Sequence, residues 1–203
     1  MSNPAKRGLQ RGLILCGVLI AAIAVFLIWP RSSGTEEAVA SYENAIGGPF
    51  TLTDQNGHTV TDRMLRGKPF AVFFGFTRCP DVCPTTMQRM TQLRKQLGPD
   101  GDKFAIVFVS VDPGHDKRED IASFLSMFDT PVIGLTGTQA QLDAVQKAYK
   151  VYVAKVPLDG GDYTVDHTAT VFLMGKRGEF VSAIDMHERD DIAVQKLRRI
   201  INS

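Results

Sequence analysis

PFAVFFGFTRCPDVCPTT, residues 69–86, is the stretch on which the fold of this 203-residue chain turns. Its first half is a nearly unbroken apolar run, the pattern of a strand covered on both faces. Its second half sets Cys79 and Cys83 four positions apart around a helix start. Pro84-Thr-Thr-Met87 opens that helix, where a proline lacks only an N–H that would be unbonded anyway. Met87, Met90, Leu93 and Leu97 follow near helical spacing, and Gly98 stops the run.

The same alternation of strand and helix extends outward. PFTLTDQNGHTV (49–60) holds Asn56-Gly57 between alternating apolar positions, a hairpin signal. KFAIVFVSVD (103–112) is a second buried strand, followed by the loop DPGHD and a helix over 117–128. VIGLTG (132–137) is a short strand, and Thr138-Gln-Ala-Gln141 is a capping box before a helix ending near Tyr149. VYVAKV (151–156), YTVDHTATVFLM (163–174) and EFVSAI (179–184) read as strands, the last two joined by a turn at 175–178. An amphipathic helix from about Asp190 to Ile201 closes the chain. These elements predict a mixed α/β sheet with helices on both faces, in an order that resembles the thioredoxin-like fold.

Charge divides the chain unevenly. The whole carries 23 basic and 22 acidic side chains, a balance that gives no reason to expect nucleic-acid binding. Residues 1–31 hold Lys6, Arg7, Arg11 and Arg31 without an acid, which leaves the remainder at 19 basic against 22 acidic. Between Arg11 and Arg31 run nineteen uncharged residues, GLILCGVLIAAIAVFLIWP. As a helix this segment spans about 28 Å, close to the ~30 Å hydrocarbon core of a bilayer. Trp29 suits the far interface, and the basic residues before the span keep that end cytoplasmic. The reading is an anchor over 1–30, a polar tether over 31–44 and an exported domain over 45–203. A cleaved signal peptide is the rival, since Ala38-Val39-Ala40 resembles a cleavage site, but the apolar run exceeds the usual h-region.

Three cysteines exclude a multi-bridge framework, and Cys16 falls in the apolar span as a small filler. Cys79 and Cys83 therefore stand as a pair of thiols in an exported domain. Three chemistries fit them. A structural disulfide is ordinary in an oxidising compartment, although a bridge across so few residues constrains the unfolded chain little. A redox dithiol fits because a helix N-terminus favours a thiolate. A soft-metal site fits because two thiolates four residues apart can converge on one ion. The end of a central strand is also where α/β sheets place functional sites.

Four histidines bear on the choice. His58 follows the hairpin turn and His187 precedes the last helix, so both read as solvated. His115 lies in the loop after the neighbouring strand, within reach of the cysteines. His167 heads the apolar stretch TATVFLM, where a buried imidazole needs a partner. Two thiolates lacking a third ligand make one nearby imidazole valuable.

FTRCPDVCPTT, the downstream SVDPGHD and VDHTATVFLM together resemble the Sco/SenC family of copper-binding thioredoxin-like proteins, over roughly residues 45–203. The resemblance implies that Cys79, Cys83 and His167 bind copper, as Cu(I) or Cu(II). It also implies a chaperone that helps assemble the binuclear copper centre of cytochrome c oxidase subunit II. Its other partners would be a copper donor and a thiol reductant of the cell envelope, with the domain on the periplasmic side of the bacterial inner membrane. Asp166 and Asp112 are expected to orient His167 or tune the site, and Asp81 reads as a solvated loop acid. The enzymatic alternative is a thiol–disulfide reductase using Cys79 and Cys83 alone; a peroxide-scavenging enzyme ranks behind it. Against a general dithiol oxidase, the cysteine spacing is one residue longer than C-x-x-C, and Thr168-Ala169 stands where such enzymes carry a proline before the strand.

Overall fold

The computed structural model describes residues 46–202. The predicted span at 12–30 and the tether at 31–44 lie outside the described residues. Among the described residues, no helix is long and apolar enough to cross a membrane.

Among the described residues, nine strands and five α-helices follow one another: β1 (Thr51–Asp54), β2 (Thr59–Thr61), α1 (Asp62–Leu65), β3 (Phe70–Gly75), α2 (Val82–Gln96), β4 (Ala105–Ser110), α3 (Arg118–Leu125), β5 (Ile133–Thr136), α4 (Gln139–Tyr149), β6 (Val153–Pro157), β7 (Tyr163–His167), β8 (Val171–Met174), β9 (Phe180–Ile184) and α5 (Asp190–Asn202). Seven strands form one sheet in the order β2-β1-β5-β4-β3-β8-β9. β3, β4 and β5 are parallel, while β8 pairs antiparallel with β3 and β9 antiparallel with β8. This is the thioredoxin-like mixed sheet that the sequence order predicts.

β3 earns its central place by composition. All six residues of FAVFFG are buried, so neither of its faces has to be wet. The core around it is aromatic: Phe73, Phe74, Phe104 and Phe108 are among the largest fully buried side chains. Burying one such side chain is worth about 1.5–3 kcal/mol relative to leaving it exposed, and the four come from β3, from β4 and from the residue just before β4. α5 packs on β8, β9 and α2. It turns Ala193, Leu197, Ile200 and Ile201 inward, the spacing expected of an amphipathic helix.

Local chemistry matches prediction at both tight signals. The Asp54 carboxylate accepts from the N–H groups of Asn56 and His58, and closes the β1–β2 hairpin. Thr138 and Gln141 cap α4 reciprocally, at 3.3 and 2.9 Å. α3 stops at Leu125, short of the predicted Phe128, and α1 and a 3-10 turn over Gly98–Lys103 are additional elements.

One prediction fails in a way that matters for the site. YTVDHTATVFLM is not a single strand. β8 joins the core sheet against β3, whereas β7 pairs only with β6, in a separate two-stranded sheet. The reason lies in burial: all four β8 residues are buried, but of β7 only Val165 is. Residues 168–170 carry the chain from one sheet to the other, so His167 ends a strand instead of heading one.

Candidate metal centre

β3 ends at Gly75, and the N–H of Cys79 donates to the carbonyl of Phe76 at 3.3 Å, folding the next residues into a turn. α2 begins at Val82, so Cys83 sits in its first turn with no exposed surface, while Cys79 precedes the helix and is half-buried. The N–H of Cys83 donates to Cys79 Sγ at 3.4 Å. Gly75 makes this packing possible: a Cβ there would lie 2.9 Å from Cys83 Sγ and 2.9 Å from ring carbons of both Phe73 and Phe108. Asp81 is exposed and accepts from the Thr85 hydroxyl at 3.2 Å, as a solvated loop acid does.

β7 delivers His167 to this corner. Its Nε2 lies 3.5 Å from Cys83 Sγ, and its Nδ1 lies 3.1 Å from the carbonyl of Thr168. A proton held at Nδ1 by that carbonyl leaves Nε2 a lone pair on the thiol side, the usual arrangement of a ligating imidazole. The rings of Phe73 and Phe76 pack edge-on against the imidazole at 5.9 and 5.8 Å. Neither expected carboxylate orients His167. Asp112 is engaged elsewhere, by Tyr163 and His115, and Asp166 is exposed.

The two thiols differ sharply in acidity. A hydrogen bond from the Cys83 thiol is the main influence holding the Cys79 pKa far below the ordinary thiol value. Burial opposes this, while the N–H groups of Cys83 and Asp81 add to it. Cys83 is driven the other way, first by that same bond to Cys79 and then by burial. The pair therefore favours a thiolate at half-buried Cys79 and a thiol at buried Cys83.

Among the described residues, Cys79, Cys83 and His167 form the group of three whose ligand atoms all lie within 4.8 Å of one another. Two sulfurs and one imidazole nitrogen in a phenyl-lined corner suit a soft, thiophilic ion better than a hard one. Both cysteines are free in this structure. His58 and His187 are exposed and remote from it in role: His58 pairs with Asp54 on the hairpin.

His115 lies beside the cysteine loop, in a polar cluster with Arg78, Asp112, Asp162 and Tyr163. Sequence reasoning did not assemble this cluster, because its members come from three separated loops. A second buried carboxylate, Asp116, accepts from the Thr77 hydroxyl and N–H and from Ser110 Oγ, and so pins the start of the cysteine loop to the end of β4. The glycine at the close of a buried strand was the available signal for the close packing beneath Cys83.

Comparison with known proteins accords with this geometry. A family model described as SCO1/SenC matches residues 38–202. The human protein SCO1 homolog, mitochondrial, is 39% identical over 150 residues, covering 71% of this chain and 49% of its own. The chain spans about half the length of this and the other mitochondrial relatives from mouse and yeast. The structure of Bradyrhizobium japonicum ScoI with copper bound aligns at a TM-score of 0.71 and 46% identity, over 77% of this chain and 99% of that one. BsSco, a member of the Sco family of cytochrome c oxidase assembly proteins in which a disulfide switch has been identified, aligns at 0.63 and 25% identity, over 78% and 95%.

Proposed function

The chain belongs to the SCO1/SenC family, and we propose that it is a copper chaperone that serves cytochrome c oxidase assembly by binding copper through Cys79, Cys83 and His167. The observation that carries this reading is the approach of those three ligand atoms within 4.8 Å. Copper is the cargo. Thiolates suit Cu(I), and an imidazole suits either copper state. Three ligands leave a coordination position through which a partner's cysteines and histidines can enter by ligand exchange. Cys79 meets the ion already as a thiolate, and Cys83 releases its proton on binding, so uptake liberates one proton. Cys79 and His167, both half-buried, lie nearer solvent than buried Cys83 and are the natural first points of exchange.

The finer reading is a single-pass anchor over 1–30 in the bacterial inner membrane and a tether over 31–44. Residues 45–203 then work on the periplasmic side and deliver copper to the binuclear centre of oxidase subunit II. A Cu(I)-loaded chain mixed with the copper-free soluble domain of subunit II should give up its metal to that domain. No transfer from the loaded chain, with the metal-free chain instead reducing the target domain's disulfide to two thiols, would favour the second reading.

That second reading, a thiol–disulfide reductase, draws on the opposed acidities of the two thiols. The Cys79 thiolate would attack a target disulfide and expel one target thiolate. Cys83, losing its proton, would then resolve the mixed disulfide. The target leaves with two reduced sulfurs, the chain keeps a Cys79–Cys83 bond, and a cell-envelope dithiol must supply the two electrons that reopen it. His167 is dispensable for that chemistry and required for the chaperone.

A further inference from the structure

The two-stranded sheet of β6 and β7 shares no ladder with the seven-stranded sheet. It carries His167 at one end of its register, opposite Val153, and Tyr163 at the other, opposite Pro157. The contacts that fasten its Tyr163 end are polar and converge on one carboxylate. The Tyr163 hydroxyl donates to Asp112 Oδ1 at 2.5 Å, and the Asp112 side chain has no exposed surface. His115 Nδ1 lies 2.9 Å from the other Asp112 oxygen, and its ring packs at a tilt against Tyr163, 4.8 Å between centroids. Arg78 reaches in from the cysteine loop. Its Nη1 donates to Asp162 Oδ2 at 2.8 Å, its Nη2 donates to the Tyr163 carbonyl at 3.1 Å, and it stands 3.7 Å from Asp112. Gly114 leaves room for this approach, since a Cβ there would lie 2.8 Å from the Tyr163 hydroxyl.

A carboxylate taken fully out of water is costly unless its oxygens are matched by donors or cations. Asp112 is held at the end of β4 through its N–H on Ser110 Oγ, so its partners are drawn to the core sheet and not the reverse. One of those partners belongs to the hairpin, and another, Arg78, is the chain neighbour of Cys79. Two of the segments that bear the candidate ligands therefore meet at one polar clasp, although no residue of the clasp is itself one of the three.

We propose that Arg78 and Tyr163 are positioning residues for His167: with Asp112 and Asp162 they clasp the β6–β7 hairpin so that the imidazole stays at the thiols. The inference rests on the metal-binding reading above. Its test is competition for Cu(I) against a chromophoric chelator, on the full chain in detergent, for Tyr163→Phe, Arg78→Gln, Arg78→Lys, His167→Ala and the doubles with His167→Ala. Displacing a group that orients a ligand costs about 10–100-fold in metal affinity, so Tyr163→Phe and Arg78→Gln should each weaken binding about tenfold. Arg78→Lys, which retains the charge without the two-pronged reach, should fall between. Combined with His167→Ala, each should cost nothing further, because the residue it positions is gone. In the metal-free chain, hydrogen exchange should quicken at residues 153–156 and 163–167 and stay unchanged in β3 and α2.

Additive losses in the doubles, or unchanged exchange in the hairpin, would overturn the clasp. If His167→Ala weakens copper and the clasp variants do not, the clasp alone fails. If His167→Ala loses nothing, the metal reading fails and takes the clasp with it.

Discussion

Gly75→Ala is the smallest perturbation that reaches the cysteines without touching a ligand. The added methyl would meet Cys83 Sγ, a Phe108 ring carbon and a Phe73 ring carbon, each at 2.9 Å. Carbon contacts are comfortable at about 3.5–4.0 Å, so each of three walls would have to yield by roughly 0.6 Å or more. The backbone cannot retreat easily. Gly75 pairs with Ser110 in the parallel ladder, and its carbonyl accepts the Val111 N–H at 2.8 Å. All three walls are fully buried, and the Cys83 side chain, the smallest of them with a single rotor, is the wall most able to move. Overpacking of this kind costs about 1–3 kcal/mol. For a domain of this size that lowers Tm by about 2–12 °C. Displacing Cys83 Sγ also lengthens its 3.5 Å approach to His167, and copper affinity should drop at least about tenfold. Calorimetry and chelator competition on the same preparation read both effects. A variant with wild-type Tm and wild-type affinity would refute the packing beneath Cys83.

Three further outcomes follow from other groups. Iodoacetamide should alkylate Cys79 of the reduced, metal-free chain with a rate that holds well below pH 8 and falls only in acid, because its pKa is depressed. Cys83→Ala removes the largest cause and should move that midpoint upward; a midpoint near the free-thiol value of about 8.5 in both forms would count against it. Arg94 is buried and donates to the carbonyls of Gly101, Phe104 and Pro131 and to the Thr130 hydroxyl. Arg94→Met should therefore cost about 3 kcal/mol in urea unfolding, through orphaned acceptors, and a loss below about 0.5 would contradict those bonds. Burial pushes the Asp116 carboxyl pKa upward. Its contribution to stability is then full below the unfolded carboxyl value of about 4 and is lost as pH rises through the raised folded value. The stability of the parent chain minus that of Asp116→Asn should accordingly fall as pH rises above about 4, and a flat or rising difference would contradict the shift.

Much of this architecture was legible because the decisive signals are local. FAVFFG announces a strand buried on both faces, Pro84 marks a helix start, and Asn56-Gly57 and Thr138–Gln141 are turn and cap chemistries completed within a few residues. The pairing of Cys79 and Cys83 was visible for the same reason. His167 was reached through the resemblance, and its strand was misjudged, since no glycine or proline marks the switch between sheets at 168–170. That switch is set by which partner strand each half finds, a tertiary property. The Thr168 carbonyl behind the imidazole is a backbone group without a sequence signature. The polar clasp joins residues 78, 112, 115, 162 and 163 only after three loops have folded together.

The central claim is that Cys79, Cys83 and His167 act as one metal site. The direct measurement loads the full chain with Cu(I) under reducing, anaerobic conditions, desalts it and counts bound copper, with Cys79→Ser, Cys83→Ser and His167→Ala alongside. One copper per chain, lost or weakened in all three variants, is the predicted result. A chain that retains no copper yet forms a reversible Cys79–Cys83 disulfide would contradict it, and would assign the site to thiol–disulfide exchange.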